Sequence, residues 1–293
     1  MPERPEVEVV RRGLGPFLTG TRVGNVRVLH ERAVRRNGGD FSGELTGAEI
    51  LHVSRRGKYL WLVTNNDMAV VIHLGMSGQL RIRTKHDAEA PEVARHPHLR
   101  LRFTLTDSRE EATFLDFLDQ RTFGGLHLSP LVRVQREKIP QSILHIARDP
   151  LDPYFSFEQF SQKLRAKRTE VKRALLDQSL ISGVGNIYAD EALWRSRLHG
   201  NFQAHQLSGV MVEELVNNVK EVMHEALEQG GTSFDSLYVN VNGESGYFSR
   251  NLNVYGRESE PCDRCGFSIE RLKFMNRSSF YCPSCQSIEK VSA

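Results

Sequence analysis

The spacing of hydrophobic residues divides the chain into a strand-rich first part and a helical second part. Unbroken apolar runs at 59–63 and 69–72, and alternation of apolar with mostly polar residues over 99–105, are typical of strands. Residues 3–18 differ, because their apolar positions recur at helical spacing. We therefore expect residues 1–133 to form a β-rich domain, a sandwich, that begins with a short helix.

Proline-containing segments interrupt the predicted elements at two places. Residues 84–97 contain two prolines and are predicted to form an irregular loop. Residues 134–153 contain three prolines and are predicted to link the β-rich domain to the rest of the chain.

Beyond the linker the apolar positions follow the period of a helix. Residues 157–164 and 171–180 fit two short helices, and residues 212–227 fit a longer amphipathic helix that ends at Gly230-Gly231. The polar segment 232–257 is predicted to be a loop. We therefore expect a helical domain over 154–257 and a small terminal domain over 258–293.

The four cysteines lie close together near the end of the chain, in the order Cys-x2-Cys-x16-Cys-x2-Cys. Two such pairs complete a tetrahedral thiolate site with no open position, which predicts one structural zinc ion. Two disulfides or free thiols are the alternatives, and the lack of an export signal in the first residues disfavours the disulfides. The predicted zinc ligands are Cys262, Cys265, Cys282 and Cys285.

Composition and charge exclude some classes of protein and weakly favour one kind of partner. No apolar run reaches the ~18 residues of a membrane helix, so we expect no membrane partner and a cytoplasmic protein. The formal net charge is only +3, but basic residues cluster at 55–58, 163–173 and 271–277. Each cluster fits either a nucleic-acid contact or an ordinary solvated face.

Three segments, taken in order along the chain, resemble the formamidopyrimidine-DNA glycosylases, also called bacterial 8-oxoguanine glycosylases. They are MPERPEVE at the start, SGVGNIYADE at 182–191, and the four-cysteine segment that ends FYCPSCQ. The resemblance covers essentially the whole chain. It implies an α+β fold with an N-terminal β-sandwich domain, a helix–two-turns–helix domain and a C-terminal four-cysteine zinc finger, with DNA in the cleft between.

The same resemblance implies a catalytic group at the start of the chain. Removal of Met1 would leave Pro2 with a secondary amine, which is partly neutral at neutral pH and can attack C1′ of a damaged nucleotide. Glu3 is implied to be the general acid and base. Glu6 is implied to support the site, although a carboxylate in the first helical turn also has a purely structural use. Lys58 is implied to contact phosphate near the lesion.

Further DNA contacts are implied at five positions. Asn186 opens a predicted helix after a Gly-Val-Gly turn, where a phosphate could bind. Arg277 is implied to grip phosphates beside the lesion, because its planar fork matches phosphate oxygens. Lys172 is a weaker candidate for a lesion-side contact. His73 and His98 fit either a contact with the DNA backbone or a structural role.

A base within a duplex must be flipped out before it can be cut, and the space it leaves must be filled. Met76 resembles the family's void filler, and Arg121 and Phe123 resemble its partners that face the orphaned cytosine and wedge the stack. Thr122 departs from the basic residue that the family often has there, which puts one backbone contact in doubt. Arg4 stands where the family usually has leucine. Residues 233–249 match the family's lesion-recognition loop by position.

The sequence therefore predicts a bifunctional enzyme of base-excision repair that acts as a monomer on damaged double-stranded DNA. It would remove oxidised purines, namely 8-oxoguanine and formamidopyrimidines, and cleave the abasic site by β,δ-elimination. One alternative is a glycosylase of the endonuclease VIII type, which acts on oxidised pyrimidines, but Met76, Arg121 and Phe123 match the purine group. The other is a non-catalytic zinc-ribbon protein that binds nucleic acid, and the Pro2-Glu3 start favours the enzyme.

Overall fold

The computed structural model describes residues 2–231 and 252–288. It divides into two compact units. The first, here called the sheet unit, contains residues 2–145 together with 230 and 231; the second, the helix–zinc unit, contains residues 146–229 and 252–288. Within the described residues, every helix is too short or too polar to cross a membrane.

The sheet unit opens with a helix and continues as two antiparallel sheets. The helix is α1 (Arg4–Leu18). One sheet has four strands in the order β1 (Arg22–Val28), β6 (Leu99–Thr106), β7 (Ala112–Asp119) and β5 (Gly78–Arg83). The other has five, in the order β2 (Ile50–Arg56), β3 (Tyr59–Thr64), β4 (Met68–His73), β8 (Gly125–Val134) and β9 (Glu137–Pro140). Short helices α2 (Phe41–Leu45), α3 (Lys85–Glu89) and α4 (Pro91–Ala94) lie between strands.

One apolar core joins both sheets to the first helix. It contains Val10 and Leu14 of α1, Leu60 of β3 and Phe103 of β6, together with Phe117 of β7, and each is at most 2% exposed. Every second residue of a strand faces the same side of its sheet, which is why alternating apolar positions collect in this layer. The predicted sandwich with an N-terminal helix is confirmed.

Two predicted boundaries differ from the observed elements. The segment 134–153 is not a linker throughout, because β9 pairs with β8 through residues 131–134 and extends the five-stranded sheet. Pro140, the last residue of β9, is compatible with this position, since an edge strand has one side free of ladder hydrogen bonds. The segment 84–97 forms two single-turn helices instead of an irregular loop, with Thr84 capping the first.

The described part of the helix–zinc unit contains four α-helices, a short 3-10 helix (Ala204–Gln206) and a two-stranded hairpin. The helices are α5 (Phe157–Arg165), α6 (Val171–Leu176), α7 (Asn186–Arg195) and α8 (Gly209–Glu228). Their apolar faces form a second core that includes Leu175, Leu193 and Val219. The predicted helix over 171–180 ends earlier, at Leu176.

The hairpin near the end of the chain carries the predicted zinc finger. It pairs β10 (Glu270–Phe274) with β11 (Arg277–Tyr281). Met275 and Asn276 form its two-residue turn, with φ of 47° and 60°. Two successive positive φ angles fit the twist of a tight antiparallel hairpin. Apart from 252–257, the predicted loop 232–257, and with it all of the predicted recognition loop 233–249, lies outside the described residues.

Candidate functional site

The start of α1 places two carboxylates in a buried, ordered arrangement beside Pro2. Glu3 is the N-cap of the helix, and Glu6 accepts a hydrogen bond from the backbone N–H of Glu3 at 2.8 Å. Both carboxylates are 2% exposed, and Pro2 is also buried. Gly231, with φ of +90°, lies against Glu6, where a Cβ atom would come within 3.1 Å of Glu6 Cγ. The predicted catalytic residues Pro2 and Glu3 therefore lie together at the positive end of a helix.

A buried ion pair connects this helix to the turn that carries Lys58. Arg55 Nε donates to Glu8 Oε2 at 3.0 Å, and Arg55 Nη1 donates to the carbonyl of Gly57 at 3.1 Å. Burial alone raises the pKa of Glu8, but hydrogen bonds and charges from Arg11 and Arg55 outweigh it, so the pKa falls to about 2. Lys58 follows Gly57 in the β2–β3 turn and is 6% exposed. No role could be predicted for Glu8 from the sequence, because one carboxylate in a helix carries no pattern.

His73 lies next to Lys58 and stays neutral at neutral pH. Burial, together with the positive charges of Lys58 and Arg36, lowers its pKa to about 4. Its Nδ1 accepts a hydrogen bond from the backbone N–H of Gly75 at 3.1 Å. Its ring lies 4.8 Å from that of Tyr59. These contacts favour a structural role for His73 over a contact with the DNA backbone.

The three predicted void-filling residues come together on two adjacent loops. Arg121 Nη1 lies 3.8 Å from Met76 Sδ. Met76 and Phe123 are 42% and 51% exposed, so neither side chain is part of the apolar core of the sheet unit. His98 precedes β6, and its carbonyl accepts from the backbone N–H of Asp119 at 2.9 Å. Exposure of these side chains favours a contact with a partner over ordinary core packing.

Within the helix–zinc unit, the start of α7 is tied to the tip of the zinc hairpin. Asn186 is the first residue of α7, and its Nδ2 donates to the carbonyl of Ser278 at 2.7 Å. Arg277 is the neighbouring residue of that strand and is exposed. A helix N-terminus and an arginine so placed form a suitable anion site.

Lys172 does not share this placement, and we remove it from the expected DNA contacts. Its side chain has no exposed surface, and its Nζ forms a 2.6 Å ion pair with Asp190 of α7. Asp190 also accepts from Ser279 Oγ and the Phe280 N–H, each at 3.0 Å. Burial raises the pKa of Asp190 to about 6, although Lys172 and these hydrogen bonds act to lower it. Lys172 thus joins the helices to the hairpin. The sequence alone could not distinguish this from a surface lysine.

The four cysteine sulfurs converge as a zinc site requires. All four Sγ atoms lie within 4.8 Å of one another. Trp194 of α7 donates from Nε1 to Cys262 Sγ at 3.4 Å, and Arg264 stacks over the Trp194 ring at 4.0 Å. Four thiolates leave no position for a catalytic water, so the single zinc ion is structural. The predicted ligand set is confirmed.

Family models match three consecutive parts of the chain. The N-terminal domain of formamidopyrimidine-DNA glycosylase matches residues 1–126, and the H2TH domain of the same enzyme matches residues 146–237. A zinc finger found in this enzyme and in isoleucyl-tRNA synthetase (FPG and IleRS) matches residues 259–288. The three-part organisation expected from the sequence is confirmed.

Relatives and solved structures agree with the family models over the full length. The formamidopyrimidine-DNA glycosylase of Rhodococcus jostii is 56% identical, covering 100% of this chain and 98% of its own. That of Mycolicibacterium smegmatis is 52% identical, covering 99% of each. Lactococcus lactis Fpg in complex with DNA containing an abasic site matches with a TM-score of 0.81 and 32% identity, covering 97% of this chain and 99% of that one. MutM in complex with DNA containing carbocyclic 8-oxo-G matches with a TM-score of 0.82 and 31% identity, covering 98% and 100%. The chain belongs to the formamidopyrimidine-DNA glycosylase family and is a DNA glycosylase of DNA repair.

Proposed function

We propose that this enzyme removes oxidised purines, 8-oxoguanine and formamidopyrimidines, from duplex DNA and then cleaves the abasic site as a lyase. The observation that carries the proposal is the buried carboxylate of Glu3 directly beside Pro2 at the start of α1. An amine and a protected carboxyl group at one point provide both a nucleophile and a proton carrier. We propose further that it acts as a monomer in the bacterial cytoplasm, associated with the nucleoid through its DNA substrate.

Each step of the reaction can be assigned to these two groups. The neutral secondary amine of Pro2, available once Met1 is removed, forms a bond to C1′ while the glycosidic bond breaks. The electron pair of that bond leaves with the base, which takes up the proton that the Pro2 nitrogen loses after the attack. Glu3 donates a proton to the sugar ring oxygen, so the ring opens and an iminium forms on Pro2. The partial positive charge at the start of α1 disfavours the ammonium form of the amine.

The iminium then makes strand cleavage possible. It acidifies the C2′–H bond, and loss of that proton expels the 3′ phosphate in β-elimination. A second proton loss expels the 5′ phosphate in δ-elimination, and water releases the sugar remnant from Pro2. Glu3 can carry the proton in each step. Zinc takes no part in these steps, because all its positions are filled by thiolates.

The exposed residues of both units provide the proposed DNA contacts. Met76, Arg121 and Phe123 would occupy the space left by the flipped nucleotide and face the orphaned base. Asn186 and Arg277 would bind phosphate at the start of α7. We retain Lys58 as a phosphate contact beside the lesion and His98 as a contact with the DNA backbone. We also retain Glu6 as support for Glu3. His73 is proposed to support the Met76 loop.

Covalent trapping tests the proposal. Borohydride should reduce the iminium and leave a stable adduct on a duplex with one 8-oxoguanine opposite cytosine. Peptide mass spectrometry should place that adduct on residue 2 of a chain that starts at Pro2. Pro2→Gly should reduce trapping strongly, because a primary amine is the weaker nucleophile and its imine can lose the activating charge. Pro5→Gly is the matched control, because it loosens the same helix start and leaves the nucleophile intact.

Three outcomes separate the candidate functions. An adduct on Pro2 with the oxidised-purine duplex supports the proposal. An adduct that forms only on a duplex with an oxidised pyrimidine would assign the chain to the endonuclease VIII type. Tight binding to DNA with no adduct and no cleavage, from zinc-loaded protein that starts at Pro2, would leave a non-catalytic binding protein.

A further inference from the structure

The two loops that carry the exposed residues touch each other through their backbones. Gly75, with φ of +65°, lies so close to the second loop that a Cβ atom would come within 2.4 Å of Gly124 N. A Cβ on Gly124 would come within 2.8 Å of the His73 carbonyl oxygen. Larger side chains at either position would force the loops apart. The residues of 74–78 and 120–124 therefore form one packed element, here called the wedge.

A single buried carboxylate is hydrogen-bonded to both loops of the wedge. Asp119, the last residue of β7, has no exposed surface. Its Oδ1 accepts from Ser77 Oγ at 2.5 Å, and its Oδ2 accepts from the backbone N–H of Gly124 at 2.7 Å. Ser77 is the residue after Met76, and Gly124 is the residue after Phe123. One carboxylate thus bonds to the immediate neighbours of both exposed apolar side chains.

Ser77 extends this connection to the third exposed residue. Its hydroxyl oxygen accepts from the backbone N–H of Arg121 at 3.0 Å while the hydroxyl proton goes to Asp119. Arg35 also donates to the carbonyls of Thr122 and Phe123, at 3.2 and 3.5 Å. Thr122 itself has φ of 55°, an unusual conformation for a residue with a branched side chain. The loop is therefore held in a shape that it would not adopt unaided.

We propose that Asp119, acting through Ser77, is a positioning residue that fixes Met76, Arg121 and Phe123 as one rigid wedge for insertion into the DNA duplex. The inference rests on the proposed function and adds to it a determinant of how the duplex is opened and of which opposite base is accepted. Asp119 touches no DNA in this role.

The physical basis is that insertion needs the three side chains in a fixed mutual arrangement before DNA binds. A free loop would lose conformational entropy on insertion, and a carboxylate that accepts from both loops removes that cost in advance. Displacing a positioned group by about 1 Å can cost on the order of 100-fold in rate, even from a distance. Loss of this positioning should therefore slow only the steps that need an opened duplex.

Two variants remove the connection in different ways. Asp119→Asn keeps the shape but replaces one of the two acceptor oxygens by an NH2 donor, so the bond to either Ser77 or Gly124 loses its acceptor. Ser77→Ala keeps Asp119 and removes the hydroxyl that joins it to Arg121. Asp116→Asn is the matched control. It lies on the same strand, is also buried, and breaks a 2.5 Å ion pair with Arg102 that has no contact with the wedge.

Three measurements are made on each full-length, zinc-loaded variant. The first is single-turnover excision of 8-oxoguanine opposite cytosine and opposite adenine. The second is borohydride trapping on a preformed abasic site in a single-stranded oligonucleotide, where no duplex has to be opened. The third is thermal unfolding. For Asp119→Asn and Ser77→Ala we expect duplex excision to fall about tenfold or more, within the range that misplacement allows. The cytosine-to-adenine ratio should shrink, and trapping on the single strand should stay within about twofold of wild type, because the nucleophile is unaltered.

These measurements distinguish failure of the inference about Asp119 from failure of the proposed function. If the wild type itself traps no abasic site, the proposed function fails before this inference is tested by the variants. If the wild type is active and both variants keep the wild-type excision rate and base ratio, the inference is overturned. It is also overturned if single-strand trapping falls as much as duplex excision, or if Asp116→Asn gives the same pattern at a comparable loss of thermal stability.

Discussion

The sheet unit and the zinc hairpin reach stability by opposite means. The sheet unit buries a continuous apolar core that joins α1 to two sheets. The hairpin has a small apolar cluster around Val254, Ile269 and Phe280, and depends on four thiolates and on polar bonds from α7. Asp190 and Glu191 together accept hydrogen bonds from the backbone N–H groups of residues 253–255 and 280. The proposed nucleophile thus lies on a self-sufficient core, whereas Arg277 depends on a metal and a helix.

Loss of zinc should have the largest effect on this difference in stability between the sheet unit and the hairpin. Chelation, or Cys282→Ser, should unfold the hairpin while the sheet unit keeps its structure, because the binding free energy of such a metal, about 10 kcal/mol or more, is folding free energy. Hydrogen exchange should show lost amide protection in 270–281 and retained protection in β3 and β4. Trp194 fluorescence should change in a Trp61→Phe background, since Trp194 contacts Cys262.

The control for this test is a substitution in the same hairpin that leaves all four cysteines in place. Arg277→Ala should weaken DNA binding without altering either hydrogen exchange or the Trp194 signal. Equal loss of protection in both units on chelation would contradict the contrast.

A smaller effect is expected from the buried pair that joins α7 to the rest of its unit. Asp190→Leu should destabilise the helix–zinc unit by about 3–5 kcal/mol, because it leaves the Lys172 ammonium buried without its counter-charge. Lys172→Met combined with Asp190→Asn should recover much of that loss, since the charge is gone and the Asn oxygen can still accept from the Phe280 N–H. Denaturant unfolding of the single and double variants measures this. A double variant no more stable than Asp190→Leu would show that the charge is not the cause.

The smallest effect concerns the ion pair beside the proposed nucleophile. The pKa of Glu8 is lowered from an ordinary 4.5 to about 2, so the folded state favours the ionised carboxylate. Its contribution to stability is therefore fully present above pH 4.5 and is lost as the pH falls towards 2. Unfolding free energies measured across this window should show a shallower pH dependence in Glu8→Gln than in wild type.

Glu44→Gln, at an exposed position in α2, is the control for loss of a carboxylate. It should follow the wild-type curve. If Glu8→Gln also follows that curve, Arg55 does not hold the Lys58 turn to α1 through charge.

Features that depend on local spacing could be predicted from the sequence. The cysteine pairs predict the zinc ligands, because a tetrahedral site needs two thiolates from each tight turn. Apolar periodicity predicts α1, the strands and α8, because it follows the geometry of each element. The ordered motifs predicted the family, and with it Pro2 and Glu3.

Roles that depend on partners distant in the chain could be assigned only from the folded structure. The sequence indicates a basic surface residue at Lys172, but its side chain is buried against Asp190. Asp119 is one acid among others in the sequence, but it bonds to both loops of the wedge. In the same way, β9 forms in the segment that was expected to be a linker because it pairs with β8. A charged side chain has no spacing signature for burial, because the partner that compensates its desolvation is supplied only when the chain folds.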